Sequence, residues 1–238
     1  MSTTRYGRGY APRLPRAPRP RPARRLRPAR LRRVNPDLLR LVAVTDEPAT
    51  DLDAWIARVS SAVRGGATMV QVRSKKADPR TSLDIVKRLV SALPVPVVMN
   101  DRADIAIMAG AAGVHVGVDD VPVASIRSFA PPGFIIGASI GSRVEVEQAR
   151  GADYIGIGPA FATSSKGDAG APLSFAEIAD LQALAGLPAV AIGGITPANV
   201  PELLKACPGV AGVAVVSSLF GADDVESAAR LLRDAIGR

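Results

Sequence analysis

Residues 95–116 read VPVVMNDRADIAIMAGAAGVHV, and this stretch decides the fold. It opens with the apolar run VPVVM, continues through DIAIMAG at 104–110, which has apolar residues at helical spacing, and closes with GVHV at 113–116. Short apolar runs bounded by turn residues are typical of buried strands, and the segment between them is typical of a helix. The stretch therefore predicts two parallel strands joined by a helix.

The same strand-and-helix unit recurs along the chain from Leu41 onward. Apolar runs occur at 41–45, 67–72, 95–99, 113–116, 134–138, 153–158, 189–193 and 212–216. Helical patterns lie between them at 52–63, 82–93, 104–110, 144–150, 174–184, 198–206 and 225–236, and the weakest such pattern is at 122–130. Eight units in about 200 residues predict a single (β/α)8 TIM barrel. The alternative is a doubly wound open sheet, which does not need eight units, and no G-x-G-x-x-G motif follows the first run.

The composition excludes several kinds of site. The chain of 238 residues has one cysteine, Cys207, and one histidine, His115. These counts exclude an internal disulfide framework and a cysteine-rich or histidine-rich metal site. A single histidine also leaves little for histidine-based acid–base catalysis, and we expect no Ser-His-Asp or Cys-His set. Aromatic residues make up 4% of the chain, which argues against a base-stacking platform for single-stranded nucleic acid.

The formal net charge of +8 comes from the N-terminal segment. Met1 to Val34 hold twelve arginines and no acidic residue, whereas the remainder has 18 basic residues against 22 acidic ones, a charge of −4. Proline recurs every few residues in the segment and no apolar periodicity is present, so it cannot bury enough surface to offset its ordering entropy. We predict a disordered Arg/Pro-rich tail at 1–36 and a barrel domain at 37–238.

Three interpretations of this tail stay open. It binds nucleic acid or another acidic surface, it is a targeting peptide, or it is not part of the mature protein because the start codon is assigned too far upstream. The tail lacks the apolar core that a signal peptide has. The longest charge-free stretch of the sequence, 181–201, is broken by three prolines and three glycines, which argues against a membrane span. We expect a cytoplasmic protein with no membrane span, and nucleic acid as a partner only if the tail is genuine.

Polar residues follow neighbouring strands at the end where barrels of this kind carry their chemistry. Strand alternation places Gln71, Arg73 and Lys75 on one inward face at the mouth. Asp101 follows the third strand and Asp120 follows the fourth. Two carboxylates beside an arginine and a lysine indicate Mg²⁺ bridging to a phosphate. The alternatives are helix N-caps for the aspartates, solvated rim charges for the basic pair, and a core position for His115.

A second group of residues follows the last three strands. The turn at Gly193-Gly194 and the residues Val216 to Ser218 occupy the loops that recurrently bind phosphate in this fold. Glycines let backbone amides approach phosphate oxygens, although a tight turn with a helix cap explains the same residues. After the sixth strand, a loop carrying Thr163, Ser165 and Lys166 is either a lid over phosphates or a flexible surface loop. The mouth thus has two expected anion sites, one for a diphosphate and one for a monophosphate.

The ordered set of strand-end motifs resembles the thiamine phosphate synthase family over about Leu41 to Gly237. The matching pieces are V-T-D at 44–46, Q-x-R-x-K at 71–75, N-D-R-x-D-I-A at 100–106, H-x-G-x-x-D at 115–120, Ser139, G-P-x-F-x-T-x-x-K at 158–166, I-G-G-I-T-x-x-N at 192–199 and V-S at 216–217. Each piece alone is weak, whereas the set in this order is specific.

The resemblance implies a transferase that joins a hydroxymethylpyrimidine diphosphate to a thiazole monophosphate and releases diphosphate and thiamine phosphate. It implies that Gln71 contacts the pyrimidine and that Asp101 and Asp120 bind Mg²⁺. The diphosphate ligands that it implies are Arg73, Lys75, Asn100, Ser139 and Lys166. The thiazole phosphate ligands that it implies are Thr163, Ser165, Gly194, Val216 and Ser217. Family likeness also implies a homodimer.

Some positions depart from the family pattern. Gly141 stands where the family often has a histidine, two residues after Ser139, and Val118 stands where a glutamine is usual. The nearest rival function is a thiazole tautomerase, a sister branch that usually lacks the metal and diphosphate residues and uses the absent histidine. A catalytically silent barrel that binds thiazole phosphate is a further alternative, as is a nucleic-acid-binding protein acting through the tail.

Overall fold

The computed structural model describes residues 34–163 and 170–237. Its eight parallel strands are β1 (Leu41–Val44), β2 (Met69–Val72), β3 (Val97–Asn100), β4 (Gly113–Val116), β5 (Ile135–Ile140), β6 (Tyr154–Ile157), β7 (Ala189–Ile192) and β8 (Val210–Val215). Each strand pairs with the next, and β8 pairs with β1, so the sheet closes into a barrel. The predicted (β/α)8 barrel is confirmed, and the open-sheet alternative is excluded.

Helices separate successive strands along the chain. They are α1 (Leu52–Arg64), α2 (Pro79–Ala92), α3 (Ala103–Ala109), α4 (Val123–Phe129), α5 (Arg143–Gln148), α6 (Phe175–Ala185), α7 (Val200–Ala206), α8 (Ser217–Phe220) and α9 (Val225–Ile236). The short α8 was not expected from the sequence, whereas α4 forms where the helical pattern is weakest. Among these helices none is long and apolar enough to cross a membrane.

Apolar packing occupies two layers on either side of the strands. The outer layer lies between strands and helices and includes Trp55, Ile85 and Leu203. The inner layer fills the barrel with side chains such as Val42, Met69 and Tyr154. Because successive strand residues face opposite sides, each strand supplies both layers, and burial of each large apolar side chain contributes about 1.5–3 kcal/mol.

The described chain begins with Val34, which is buried against the inner layer. A short 3-10 turn at Pro36–Leu39 follows, with Asn35 accepting a hydrogen bond from the Asp37 amide at its start. Leu39 is fully buried and packs with the same inner cluster. The tail predicted at 1–36 lies otherwise outside the described residues, so its disorder stays a prediction.

Candidate active site at the carboxyl rim of the barrel

Two carboxylates follow adjacent strands and face each other. Asp101 comes directly after β3 and Asp120 lies in the loop after β4. The pKa of Asp101 is raised to about 6, mainly because the side chain is partly buried. A hydrogen bond with Asp120 and repulsion by its charge raise this pKa further. The Asp120 Oδ2 atom also accepts a hydrogen bond from the Gly117 amide at 2.6 Å. Such a half-buried pair is poorly stabilised as two anions and is well suited to sharing a divalent cation.

Neither aspartate is the N-cap that the alternative interpretation required. Helix α3 is preceded by Arg102 at its N-cap and α4 by Pro122, and neither residue makes a side-chain capping bond. Asp101 instead has a φ of 63°, in the left-handed region that few non-glycine residues adopt. The capping interpretation is wrong for both aspartates, because their side chains point to each other and to a loop amide.

Two basic residues stand beside the carboxylate pair. The charges of Lys75 and Arg73 both act on Asp101 and oppose the rise of its pKa. The backbone of this segment is held by two side chains after β1: Thr45 Oγ1 accepts from the Arg73 amide at 3.0 Å, and Glu47 accepts from the Lys75 amide at 3.0 Å. Sequence reasoning assigned Thr45 and Glu47 no such role, because their partners are about 28 residues away along the chain.

An amide pair crosses from β2 to β3 just inside the mouth. Gln71 Nε2 donates to Asn100 Oδ1 at 2.7 Å. This bond leaves Gln71 Oε1 as an acceptor and Asn100 Nδ2 as a donor for a further group. Gln71 is buried and Asn100 is half-buried, so the pair presents fixed polar atoms at the base of the rim.

Ser139 belongs to β5 and is exposed towards the mouth. Its Oγ atom lies 2.9 Å from Nε2 of the buried His115, and His115 Nδ1 lies 2.9 Å from the Tyr154 hydroxyl. Burial lowers the pKa of His115 to about 4, so the ring is neutral at neutral pH. His115 is therefore buried, as the core alternative predicted. Its ring also contacts Ser139, a candidate site residue.

The turn after β7 has the backbone shape expected for an anion site. Gly193 and Gly194 have φ values of 100° and 61°. A Cβ atom on Gly193 would lie 2.7 Å from Pro159 Cβ, and one on Gly194 would lie 2.8 Å from Phe161 Cβ. Both the left-handed backbone and the close approach of the loop after β6 thus require glycine. Asn199 fixes the turn by donating to the Gly194 carbonyl at 3.0 Å.

The end of β8 lies beside this turn. Val216 precedes α8, which starts at the exposed Ser217. The hydroxyl of Ser218 donates to the Ile195 carbonyl and so connects α8 to the loop after β7. Gly194, Val216 and Ser217 therefore lie near one another on the same rim as the aspartates, since all eight strands are parallel.

The loop after β6 carries the remaining expected residues. Thr163 is half-buried, and the Phe161 amide donates to the Gly193 carbonyl at 3.0 Å, which brings this loop against the β7 turn. Ser165 and Lys166 lie outside the described residues, so their assignments stay predictions.

The donor set fits a magnesium site completed by a ligand. Among residues 34–163 and 170–237, no three His, Cys, Asp or Glu residues cluster to hold a metal by themselves. Two carboxylates are nevertheless what Mg²⁺ commonly takes from a protein when substrate phosphates and waters supply its other oxygens. The facing Asp101 and Asp120 thus fit a metal that arrives with a phosphorylated substrate.

Comparison with known proteins identifies relatives over the whole barrel. The family described as thiamine monophosphate synthase matches residues 41–219. A thiamine-phosphate synthase of Methanoculleus marisnigri is 44% identical over 207 residues, covering 82% of this chain and 94% of its own length. One from Roseiflexus castenholzii is 38% identical, with 80% and 85% of the two chains covered.

Solved structures give the same result. A thiamine phosphate pyrophosphorylase from Pyrococcus furiosus superposes with a TM-score of 0.74 and 34% identity, covering 85% of this chain and 97% of that one. A 3-hexulose-6-phosphate synthase superposes with a TM-score of 0.64 at 18% identity, which shows a shared barrel fold alone.

Proposed function

The chain belongs to the thiamine monophosphate synthase family, and we propose that it is a Mg²⁺-assisted transferase. It joins 4-amino-2-methyl-5-(diphosphooxymethyl)pyrimidine to 4-methyl-5-(2-phosphooxyethyl)thiazole and forms thiamine phosphate and diphosphate. The observation that carries this proposal is the facing carboxylate pair, flanked by two cations, on the same rim as the glycine turn. A rim with two separate anion-binding regions suits a reaction between two phosphorylated rings.

The first region holds the diphosphate. Arg73 and Lys75 supply positive charge beside Asp101, while the free Asn100 Nδ2 and the exposed Ser139 hydroxyl supply hydrogen bonds. Asp101 and Asp120 would hold Mg²⁺, which when bound would neutralise charge on the diphosphate oxygens. We also assign Lys166, which follows β6 in the sequence, to this set.

The second region holds the thiazole phosphate. The Gly194 amide donates to no acceptor among the described residues, and its turn is fixed by Asn199, so it is available to a phosphate oxygen. Val216 and Ser217 lie beside it at the end of β8. We assign Thr163 and Ser165, which follow β6 in the sequence, to the same phosphate.

The reaction then follows from the placement of the two rings. The carbon–oxygen bond to the diphosphate breaks first, and its electron pair leaves with the diphosphate, where Arg73, Lys75 and Lys166 stabilise the growing negative charge. The amino group of the pyrimidine delocalises the positive charge left on the methylene carbon, and Gln71 Oε1 accepts a hydrogen bond from that ring. The thiazole nitrogen then forms the new carbon–nitrogen bond, and holding both rings in line lowers the entropic barrier.

The alternative functions are not favoured. A tautomerase of the sister branch would use a histidine at the position of Gly141, and that position cannot move a proton. A silent thiazole-phosphate-binding barrel would have no use for a costly pair of facing carboxylates. The homodimer and the cytoplasmic location stay predictions from the sequence.

The test is turnover of the purified protein with both phosphorylated rings and Mg²⁺, with thiamine phosphate detected by mass. We expect Asp120→Asn to lose about a hundredfold or more of the Mg²⁺-dependent turnover, since several kcal/mol of charge stabilisation depend on the metal. The fold is retained, because an asparagine keeps an acceptor for the Gly117 amide and removes repulsion with Asp101.

The exposed neighbour Asp119 offers a matched control. Asp119→Asn removes the same charge one residue away, and we expect it to keep wild-type turnover. Equal activity of the two variants would overturn the metal assignment, and no product from the wild type under any Mg²⁺ concentration would overturn the function itself.

A further inference from the structure

A continuous chain of hydrogen bonds runs from the barrel interior to the mouth. The Tyr154 hydroxyl lies 2.9 Å from His115 Nδ1, and His115 Nε2 lies 2.9 Å from Ser139 Oγ. Tyr154 and His115 are buried, whereas Ser139 is exposed. Of these three hydrogen-bonded side chains, the Ser139 hydroxyl is therefore the one that reaches solvent, at the rim of the barrel.

The strand register builds this chain by placing a glycine between the two rings. His115 on β4 is level with Gly137 on β5, which in turn is level with Tyr154 on β6. A Cβ atom on Gly137 would lie 2.5 Å from His115 Nδ1 and would also overlap the Tyr154 ring. The two side chains can therefore meet across β5 because residue 137 has no side chain.

Two residues further along each strand, Ser139 is level with Gly156. A Cβ atom on Gly156 would lie 3.2 Å from the His115 ring, tighter than a normal contact. The imidazole thus occupies a space left by two glycines on neighbouring strands. A ring held this tightly keeps a fixed orientation towards Ser139.

The partners of Tyr154 decide which ring nitrogen carries the proton. Within the described part of the chain, the phenol hydroxyl has His115 Nδ1 as its hydrogen-bond partner and no other. Burial raises the pKa of Tyr154, so the hydroxyl keeps its proton and must donate it to Nδ1 or leave it unsatisfied in the interior. With Nδ1 accepting, the neutral imidazole has its proton on Nε2.

The Nε2 proton then determines the direction of the last bond. His115 donates to Ser139 Oγ, which makes the serine an acceptor on its inner side and frees its own proton for a group at the mouth. In the opposite tautomer the serine would donate inward and present lone pairs to the mouth, which an anion would avoid. The direction of these hydrogen bonds, from Tyr154 through His115 to Ser139, therefore suits an anionic ligand.

We propose that His115 and Tyr154 are positioning residues that orient the Ser139 hydroxyl as a hydrogen-bond donor to the leaving diphosphate. This inference rests on the proposed function, in which Ser139 contacts that group. Neither ring touches substrate. They act by fixing the polarity of one hydroxyl before the substrate arrives, which spares the reorientation that a free hydroxyl would need.

The first test needs no substrate, because His115 is the one histidine in the sequence and its ring signals are unambiguous. We expect ¹⁵N NMR of the wild-type protein at neutral pH to show a protonated Nε2 and a bare Nδ1. In Tyr154→Phe we expect the preference for this tautomer to weaken or disappear. A wild-type ring protonated on Nδ1 would overturn the inference, whatever the fate of the proposed function.

The second test is a double-mutant cycle with Tyr154→Phe and Ser139→Ala, with folding checked by thermal unfolding. We expect Tyr154→Phe to lower kcat/KM for the pyrimidine diphosphate about tenfold and to leave KM for the thiazole phosphate unchanged. We expect the double variant to match Ser139→Ala, because the tyrosine acts through the serine.

The possible results separate the inference from the function. A tenfold loss from Tyr154→Phe that persists in the Ser139→Ala background would overturn the relay, since a structural defect adds to the loss of the serine. An impaired Ser139→Ala with an unaffected Tyr154→Phe would overturn the inference alone. An unaffected Ser139→Ala would overturn both the inference and the assignment of Ser139 to the diphosphate site.

Discussion

Asp101 combines a left-handed backbone with a carboxylate that faces a second carboxylate. Each feature costs free energy: a non-glycine residue in this region costs on the order of 1 kcal/mol, and the facing charge of Asp120 adds to this cost. Aspartate tolerates such a backbone better than most residues. Two unfavourable features at one residue do not stabilise the fold. They indicate that Asp101 belongs to a binding site in an otherwise well-packed barrel.

Lys166 is assigned from the sequence to the diphosphate. We expect Lys166→Ala to lower kcat about a hundredfold with little change in KM for the thiazole phosphate, because the ammonium stabilises charge that grows as the diphosphate leaves. Steady-state kinetics with each substrate varied in turn measure this. A pure effect on KM for the thiazole phosphate would move Lys166 to the second region.

Cys207 gives a prediction about reactivity. The thiol is buried, burial raises its pKa, and it donates to the Phe175 carbonyl at 3.3 Å. Because the thiolate is the reactive form, a raised pKa means less thiolate at any given pH. We expect iodoacetamide at pH 8 to modify the native protein about tenfold or more slowly than the denatured protein, as followed by mass. Equal rates would mean that the connection between α7 and β8 opens freely.

At the scale of elements, α4 shows how a tertiary contact supports a helix with a weak sequence pattern. Arg127 in α4 donates to Asp153 Oδ2 at 2.7 Å and to the Phe134 carbonyl at 2.8 Å. The same Asp153 oxygen accepts from the Ile136 amide at 2.7 Å. These bonds connect α4 to the starts of β5 and β6, and residues 123–129 alone do not reveal them.

Loss of this connection is predicted to be costly. We expect Asp153→Ala to lower the free energy of unfolding by about 3 kcal/mol, because it removes the anionic partner of a half-buried guanidinium and leaves the buried Ile136 amide without its acceptor. Urea unfolding measures the change. The exposed pair of Arg143 and Asp180, 3.7 Å apart, is the control, and Asp180→Ala should change stability by less than about 0.5 kcal/mol. Similar losses in both variants would refute the special role of Asp153.

At the scale of the whole molecule, the described residues 34–163 and 170–237 include every strand of the closed barrel. Val34 and Leu39 are the first residues packed into the inner layer, and β1 follows at once. All the candidate site residues lie at or after Gln71. The charge of the tail and the chemistry of the barrel are therefore expected to be separable.

We predict that removal of residues 1–33 leaves turnover and the unfolding temperature unchanged. Leu39→Ala is the contrasting variant, because it empties a buried position and should cost about 2–5 kcal/mol. If RNA retains the full-length protein but not the truncated one, and the truncated protein keeps its turnover, the tail has a function separate from catalysis. Lost turnover in the truncated protein would contradict the separation of tail and barrel.

The sequence by itself determined the strands, most helices and the identity of the polar residues at the strand ends. These features repeat with the period of a strand or a helix, and side-chain polarity within a few residues sets that pattern. The closed barrel also follows from the sequence, because eight such units leave few other ways to bury both faces of a parallel sheet.

Only the tertiary structure decided which side chains meet. The facing of Asp101 and Asp120, the bond of Gln71 to Asn100 and the contact of His115 with Tyr154 across Gly137 depend on strand register. Register is set by the packing of the whole barrel, in which a shift of one residue would turn each side chain to the opposite face. No local pattern carries that information, so the bonds of Gln71 to Asn100 and of His115 to Tyr154 could not be predicted from the sequence. The proximity of Asp101 and Asp120 was predicted, because each follows one of two adjacent strands.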